Sequence, residues 1–156
     1  MKVFLGADHG GYDLKEKVKT WLIGEGHEVE DCGAKVPDPQ DDYPQYAQCV
    51  AEHVSANVVE HKGILLCRNG IGVSVVANKV MGVRCAHAET VEIARTSRVD
   101  DDTNVLALAA DYMQEEEAKT IIKTWLTTPF SGEARHVRRL EQINELERAT
   151  FTPKAS

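Results

Sequence analysis

The stretch Gly63–Lys79, GILLCRNGIGVSVVANK, decides the fold of this 156-residue chain. A short continuous apolar run ends in Cys67, and a turn containing Gly70 and Gly72 follows at once, before a helical pattern of apolar residues. Such a run is typical of a strand buried on both faces in a parallel sheet. The stretch therefore predicts that Cys67 lies at the carboxyl edge of a parallel sheet, where open α/β sheets bind their ligands.

The glycine turn predicts an unusual setting for the Cys67 thiol. Glycines let the backbone turn sharply and leave N–H groups open to an anion at the start of a helix. A thiol at that place feels the positive end of the helix dipole, which favours thiolate over thiol. The segment Arg68–Gly72 matches neither the Walker nor the dinucleotide-binding fingerprint, so those nucleotide motifs are rejected. We expect an activated sulfur beside an anion cradle.

Strand and helix patterns alternate along the whole chain. The predicted strands are Lys2–Gly6, Glu28–Asp31, Gly63–Cys67, Val83–Ala86 and Val105–Ala109. A helical pattern follows each of them, and a last helix, Glu133–Arg148, has no strand after it. This alternation predicts an α/β fold of three α/β/α layers, with a five-stranded parallel sheet and an extra C-terminal helix. We expect one domain over residues 1–150 and a loose tail over residues 151–156.

Composition excludes several classes of function. Hydrophobic and charged fractions of 42% and 28% are ordinary for a soluble globular protein. The formal net charge is −7 and no Lys/Arg block occurs, so neither nucleic acid nor a membrane is an expected partner. No apolar run approaches the length of a transmembrane span, and the N-terminus lacks a signal-peptide profile. A cytoplasmic location is the expectation.

Four cysteines are scattered along the chain without a CxxC spacing: Cys32, Cys49, Cys67 and Cys85. A chain of this size does not need disulfides, and a reducing compartment is expected. No pair of Cys or His residues shows a zinc-ligand spacing, so no metal site is expected. The cysteines other than Cys67 are interpreted as small core residues.

Asp8 and His9 follow the first predicted strand, which places them at the same sheet edge as Cys67. A carboxylate and an imidazole beside a sulfur would supply polar contacts to a small ligand. A capping Asp and an exposed loop His explain the positions equally well.

Two further segments remain ambiguous on pattern alone. Tyr43 stands at the predicted start of a helix, and plain helix initiation is its simpler interpretation. Arg135 and Arg139 are four residues apart, share a helix face, and would clamp a phosphate between two guanidinium groups. A basic run on a helix is, however, usually a solvated face.

Taken together in chain order, these segments resemble the ribose-5-phosphate isomerase B family, which includes the galactose-6-phosphate isomerase subunits. The resemblance covers nearly the whole chain. It rests on GADHGG, DYPQYA, GILLC-x-x-GIGVSVVANK, GVRCA, SR-x-x-x-DTNVLAL and the arginine pair of the last helix.

The resemblance implies a Rossmann-like fold and an aldose–ketose isomerisation of a sugar phosphate through an enediolate, without metal or cofactor. The substrate would be ribose 5-phosphate and ribulose 5-phosphate, or a related pentose or hexose phosphate. Cys67 matches the base, and the N–H groups of the turn with Gly70 and Gly72 match the oxyanion donors. The resemblance also implies a homodimer, or a dimer of dimers, whose sites are each built from two subunits. The matching substrate-binding positions are His9, Arg135 and Arg139 for the phosphate, and Asp8 and Tyr43 for the sugar.

The chain departs from the family pattern at three places. Cys67-Arg68-Asn69 stands where the family has Cys-Gly-Thr or Cys-Gly-Ser, and Asp100-Asp101 stands where it has His-Asn. Asp111 replaces an arginine often used for phosphate. Ring-opening groups are thereby lost, which leaves Asp100 and Asn69 as the local catalytic candidates. The added candidates for substrate binding are Arg68, Asp101 and Asn104.

The departures leave the function open between two classes. An isomerase with altered specificity is favoured over a non-catalytic or partner-dependent paralogue that binds a sugar phosphate, and a redox-thiol protein ranks third. The substitutions also look coordinated, because cationic Arg68 would compensate Asp100 or Asp101 of a neighbouring subunit at the rim of the pocket. Solvated surface charges are nearly as good an explanation.

Overall fold

Five parallel strands form one sheet in the order β2-β1-β3-β5-β4. The computed structural model describes residues 1–151. The strand bounds are β1 (Lys2–Ala7), β2 (Glu28–Asp31), β3 (His61–Cys67), β4 (Cys85–His87) and β5 (Val105–Ala109). In the register of the sheet, Ala7 pairs with Leu66 and Cys67 pairs with Ala109. The carboxyl ends of the three central strands therefore meet at one edge.

Helices cover both faces of the sheet, which confirms the predicted three-layer α/β/α fold. The helices are α1 (Tyr12–Gly24), α2 (Tyr43–Ala56), α3 (Ile71–Ala77), α4 (Val91–Asp101), α5 (Glu115–Thr127) and α6 (Ala134–Phe151). The core residues show that α1, α4 and α5 pack on one face, and that α2 and α3 pack on the other. None of the helices within residues 1–151 has both the length and the apolar character needed to cross a membrane.

The central strand β3 explains which face Cys67 occupies. Side chains alternate between the two faces of a strand, so Ile64 and Leu66 join the core under α1 and α5. Leu65 and Cys67 belong to the opposite core, under α2 and α3. The thiol therefore points toward the layer that contains the start of α2 and the start of α3.

Some element bounds differ from the sequence-based expectation. β4 begins at Cys85 rather than Val83, because the backbone around Arg84 is held by Asn104 and by the end of α4. A 3-10 turn over Ala110–Tyr112 delays the start of α5 to Glu115. Phe151, expected in the tail, is the last residue of α6. The rest of the expected tail, 152–156, lies outside the described residues.

A buried lysine fixes the segment that follows β2. The Lys15 side chain is fully buried, and its Nζ donates to the Asp31 carboxylate at 2.9 Å and to the Ala34 carbonyl at 2.8 Å. Burial opposes ionisation of Asp31, but hydrogen bonds from Lys15 and Lys19 outweigh it and lower the pKa of this carboxyl. The ion pair therefore ties α1 to the carboxyl end of β2, beside the sheet edge that carries Cys67.

Gly11, at the start of α1, provides a test of this packing. A Cβ at residue 11 would lie 2.6 Å from the backbone oxygen of Leu66, whereas a Cβ at Gly24 would meet nothing within 4 Å. Gly11→Ala should lower the free energy of unfolding by about 1–3 kcal/mol, because a backbone contact cannot relax as a side chain does. Gly24→Ala, the matched control in the same helix, should leave stability unchanged or raise it slightly. Urea denaturation measures both, and equal changes in the two variants would contradict the close approach of α1 to β3.

Candidate functional site

Cys67 is the last residue of β3, and its side chain is held by the turn that follows. The residue is only 5% exposed. Its Sγ accepts a hydrogen bond from the Gly70 backbone N–H at 3.2 Å, and it lies 3.9 Å from Asn69 Oδ1. The turn therefore fixes the position of the sulfur through a direct hydrogen bond.

The turn requires glycine at residue 70. Gly70 has φ of +73°, a conformation that costs little only for glycine. A Cβ there would also lie 2.7 Å from the His87 ring and 3.0 Å from the Leu108 backbone. The turn is thus pressed against β4 and β5, and this packing fixes the direction of the N–H that reaches Cys67.

The predicted anion cradle has fewer free donors than expected. The Gly70 N–H is used by the sulfur, and the Ile71 N–H donates to Asn69 Oδ1 at 3.1 Å. An Asn side chain commonly bonds the backbone two residues on, which explains how Asn69 takes this donor. Asn69 therefore orders the turn beside the sulfur.

Asp8 and His9 lie at the same sheet edge, after β1. Asp8 is buried and its Oδ1 accepts from the Gly11 N–H at 3.2 Å, so it caps the turn before α1. The His9 ring Nδ1 lies 2.6 Å from Asp41 Oδ1, and the His9 backbone N–H donates to the same oxygen at 3.1 Å. With Asp41 ionised, Nδ1 carries the proton and Nε2 stays available to a ligand.

Asp41 is a residue that sequence reasoning missed. Its side chain is 5% exposed. Burial opposes its ionisation, but the hydrogen bonds from the His9 ring and backbone N–H outweigh it and hold the pKa of this carboxyl below its ordinary value. The only sequence signal was the Asp41–Asp42 pair that ends the polar loop. Asp41 orients His9 from 32 residues away along the chain.

Tyr43 is both the first residue of α2 and part of this edge. A Cβ at Gly72 would lie 2.6 Å from the Tyr43 ring, so the ring crosses closely over the start of α3. Tyr43 keeps 37% of its surface exposed. We call the group formed by Asp8, His9, Asp41, Tyr43, Cys67 and Asn69 the thiol pocket.

Arg68 has a partner within its own chain. Its Nη1 lies 3.3 Å from Asp111 Oδ2, and the Asp111 backbone N–H donates to the Arg68 carbonyl oxygen at 2.9 Å. The Arg68 side chain is 63% exposed, and such surface pairs contribute about 0–1 kcal/mol. Within one chain, the positive charge of Arg68 therefore pairs with the negative charge of Asp111. The expected contact with Asp100 or Asp101 of a neighbouring subunit stays a prediction.

Asp100 and Asp101 lie at the opposite edge of the sheet from Cys67. They end α4, which returns the chain to the amino end of β5. Arg84, just before β4, donates to the carbonyl oxygens of Asp101 and Asp102. A strand as long as β5 spans about 15 Å. One chain alone therefore does not bring these carboxylates to the thiol pocket.

The arginine pair of α6 lies beside those carboxylates. His136 is buried and places its Nε2 3.7 Å from Asp100 Oδ1 and its Nδ1 2.7 Å from Ser131 Oγ. Arg135 and Arg139 are exposed, and Arg135 contacts Glu133 at 2.9 Å. We call Asp100, Asp101, Arg135, His136 and Arg139 the α4–α6 cluster. His136 was missed as a site residue, although it stands between the two arginines in the sequence.

Asn104 lies in a buried position before β5. It is 1% exposed, its Oδ1 accepts from the Arg84 N–H at 2.8 Å, and its Nδ2 donates to the Gly82 carbonyl oxygen at 2.8 Å. Both ends of the amide are engaged in holding the segment before β4. The role of Asn104 in substrate binding stays a prediction.

Comparison with known proteins gives a consistent result. The family model described as Ribose/Galactose Isomerase matches residues 3–143. Ribose-5-phosphate isomerase B of Mycobacterium leprae is 39% identical over 98% of this chain and 94% of its own length. The crystal structure of ribose-5-phosphate isomerase B from Mycoplasma genitalium with bound ribulose-5-phosphate is similar with a TM-score of 0.93 and 36% identity, covering 96% of this chain and 97% of that chain.

The pocket geometry predicts selective reactivity of Cys67. It should be alkylated by iodoacetamide faster than the other cysteines, because a sulfur that accepts a backbone N–H at the start of a helix is in a setting typical of reactive cysteines. Burial raises the pKa of Cys85, and burial together with Cys49 and Glu30 raises that of Cys32. Mass spectrometry of peptides from timed reactions measures the rates. Uniform slow labelling of all four, or a fast phase that survives in Cys67→Ser, would contradict this.

Proposed function

This chain belongs to the ribose/galactose isomerase family, and from that premise we propose that it interconverts ribose 5-phosphate and ribulose 5-phosphate. It is an aldose–ketose isomerase of the ribose-5-phosphate isomerase B type, acting on a sugar phosphate. Support for this substrate pair comes from the similar structure with bound ribulose-5-phosphate. A related pentose or hexose phosphate would use the same chemistry.

We assign the proton transfer to Cys67. The thiolate takes the proton from C2 of the open-chain aldose, and the released electron pair forms the C1–C2 double bond of an enediolate as the π pair of the C1 carbonyl moves onto O1. Return of that proton to C1, with transfer of the O2 hydroxyl proton to O1, gives the ketose. Every step moves a proton, so the proposed reaction uses neither a metal nor a redox cofactor. The single observation that carries the assignment is the hydrogen bond from the Gly70 N–H to the buried sulfur.

The turn beside Cys67 supplies stabilisation for the enediolate. Asn69 uses its Oδ1 to accept from the Ile71 N–H, so its Nδ2 is the group that we assign to the developing oxyanion. The Gly72 N–H in the first turn of α3 is the second proposed donor. Fixed donors aimed at a developing charge need no reorganisation during the reaction.

Recognition of the sugar phosphate is assigned to both sheet edges. Asp8 and Tyr43 would bind sugar hydroxyls, and a His9 imidazolium, protonated on both ring nitrogens, would donate to the phosphate from Nε2. Arg135 and Arg139 would bind the same phosphate as two guanidinium forks. Since the α4–α6 cluster and the thiol pocket lie at opposite edges of one sheet, we propose a dimer in which one copy completes the pocket of the other.

Ring opening is assigned to the α4–α6 cluster. Asp100 replaces the histidine of the family, and His136 lies 3.7 Å from its carboxylate. An imidazole 3.7 Å from a carboxylate places a proton donor and an acceptor side by side. Arg68 and Asp101 are proposed at the rim, where Arg68 adds a cation to a pocket that has Asp111 in place of an arginine.

A non-catalytic sugar-phosphate binder is the second candidate function. The negative charges of Asp100, Asp101 and Asp111 favour it, because they stand where the resemblance implies neutral or cationic groups. Such a protein would be stabilised by ribose 5-phosphate in a thermal shift measurement while producing no ribulose 5-phosphate in NMR spectra. One NMR time course with ribose 5-phosphate therefore distinguishes the isomerase hypothesis from the binder hypothesis.

Replacement of the proposed base tests the mechanism. Cys67→Ser should reduce kcat by about 10³-fold, because a hydroxyl is a far weaker base at neutral pH. Cys85→Ser, which removes a thiol outside the pocket, is the matched control and should keep the activity. NMR of ribose 5-phosphate conversion with each protein measures the rates. Activity of Cys67→Ser equal to that of the control would remove Cys67 from the mechanism.

Arg139→Ala should mainly raise KM. Loss of one charged hydrogen bond to the phosphate costs about 1.5–3 kcal/mol, which corresponds to an increase in KM of about 10- to 150-fold. Arg138→Ala, on a different face of α6, is the control and should leave KM unchanged. Initial-rate kinetics over a range of substrate concentrations distinguish KM from kcat. A normal KM in the Arg139 variant would exclude this residue from the phosphate site.

The same variant tests whether two copies share a site. An excess of Cys67→Ser chain, refolded together with Arg139→Ala chain, should raise the activity at low substrate concentration above the sum of the two variants. Each mixed dimer would contain one pocket in which both residues are intact. Activity equal to the sum would show that the arginine and the thiol act within one chain.

A further inference from the structure

Three potential metal ligands converge outside the thiol pocket. Cys32 follows β2, and Cys49 and His53 lie one turn apart on α2. Their ligand atoms all lie within 4.8 Å of one another. The His53 Nδ1 is 3.9 Å from Cys32 Sγ and 3.8 Å from Cys49 Sγ. None of these residues takes part in the proposed isomerisation.

We propose that Cys32, Cys49 and His53 form a binding site for a thiophilic divalent metal ion of the zinc type. In a tetrahedral zinc site the Zn–S and Zn–N distances are about 2.3 Å and 2.1 Å, which places sulfur and nitrogen about 3.6 Å apart. The observed separations of 3.8 Å and 3.9 Å need a contraction of only a few tenths of an ångström. Two thiolates and one imidazole are ligands that favour zinc over the hard cations Mg²⁺ and Ca²⁺.

The surroundings of His53 support its role as a ligand. Its ring stacks on the buried Phe4, with centroids 4.6 Å apart and planes 23° apart, which restricts the ring orientation. Its Nε2 lies 3.5 Å from Glu30 Oε1 on the side away from the sulfurs. Metal-binding histidines typically donate their second ring N–H to such a carboxylate, which fixes the tautomer that ligates.

One existing contact must be given up when a metal binds. His53 Nδ1 lies 2.8 Å from the Cys49 carbonyl oxygen, to which it donates when protonated. A metal ion would replace that proton on Nδ1. The carbonyl would keep a donor, since the helical hydrogen-bond pattern also directs the backbone N–H of residue 53 to the carbonyl of residue 49.

The site is open to ions from solvent. The His53 side chain is 44% exposed, and Cys32 and Cys49 are half-buried. Three protein ligands leave the fourth tetrahedral position for a water molecule. A bound ion would tie the end of β2 to α2 and would close a loop over residues 33–48, which contains Asp41 and Tyr43 of the thiol pocket. Metal binding is therefore expected to stabilise the part of the chain that positions those two residues.

A titration with Co²⁺ and Cd²⁺ tests the proposal. The reduced, metal-free protein carries Cys67→Ser and Cys85→Ser in this test, so that only Cys32 and Cys49 supply thiolate. One ion per chain should bind, with a Cd²⁺–thiolate absorption in the ultraviolet and the intense visible bands of tetrahedral Co²⁺, both displaced by Zn²⁺. Adding Cys32→Ser or His53→Gln should weaken binding by at least about tenfold, as loss of one ligand predicts.

Two results of this titration would overturn the site. One is absorption unchanged by Cys32→Ser and His53→Gln in variants whose circular dichroism shows an intact fold. The other is loss of the Cys32 and Cys49 thiols while no metal is bound, which would indicate a disulfide between these two residues instead. Thermal unfolding gives an independent readout, because Zn²⁺ should raise the Tm of the parent protein and not that of the His53 variant. Equal shifts in both proteins would also contradict the proposal.

Discussion

The hydrogen bond from the Gly70 N–H to Cys67 Sγ is the contact on which the rest of the site depends. The left-handed φ of Gly70 directs its N–H at the sulfur. Only glycine fits at this position, because the His87 ring and the backbone of β5 leave no space for a side chain. The same geometry lets Asn69 bond the Ile71 N–H and begin α3 beside the sulfur. A parallel strand, a glycine turn and a short helix thus place a buried thiol at the ligand-binding edge of the sheet.

The second constraint is that the polar groups proposed to bind and convert the substrate lie at opposite edges of the sheet of one chain. The thiol pocket has a buried sulfur and an imidazole held by Asp41, and its neighbour Arg68 is paired with Asp111. The α4–α6 cluster has the arginine pair and the buried His136. A phosphate needs cations and an isomerisation needs a base, and the proposed dimer would bring the two groups of residues together.

Local patterns in the sequence were enough to predict the five parallel strands, the edge at which they end, and the placing of Cys67, Asp8 and His9 at that edge. Contacts between distant residues were not predictable in this way. Asp41 reaches His9 across 32 residues, and Arg68 reaches Asp111 across 43. Asn104 matched a sequence motif, yet burial commits both ends of its amide to the backbone. Cys49 and His53 lie one turn apart on α2, but their third partner, Cys32, follows β2 and is brought to them only by the fold.

The most direct measurement is a crystal structure of this protein with ribulose 5-phosphate bound. The account predicts C1 and C2 of the sugar within about 3.5 Å of Cys67 Sγ, the separation at which a proton can pass between them. It also predicts the phosphate against Arg135 and Arg139 of a second copy of the chain. Sugar carbons out of reach of the sulfur, with another basic group closer to them, would contradict the central role given to Cys67.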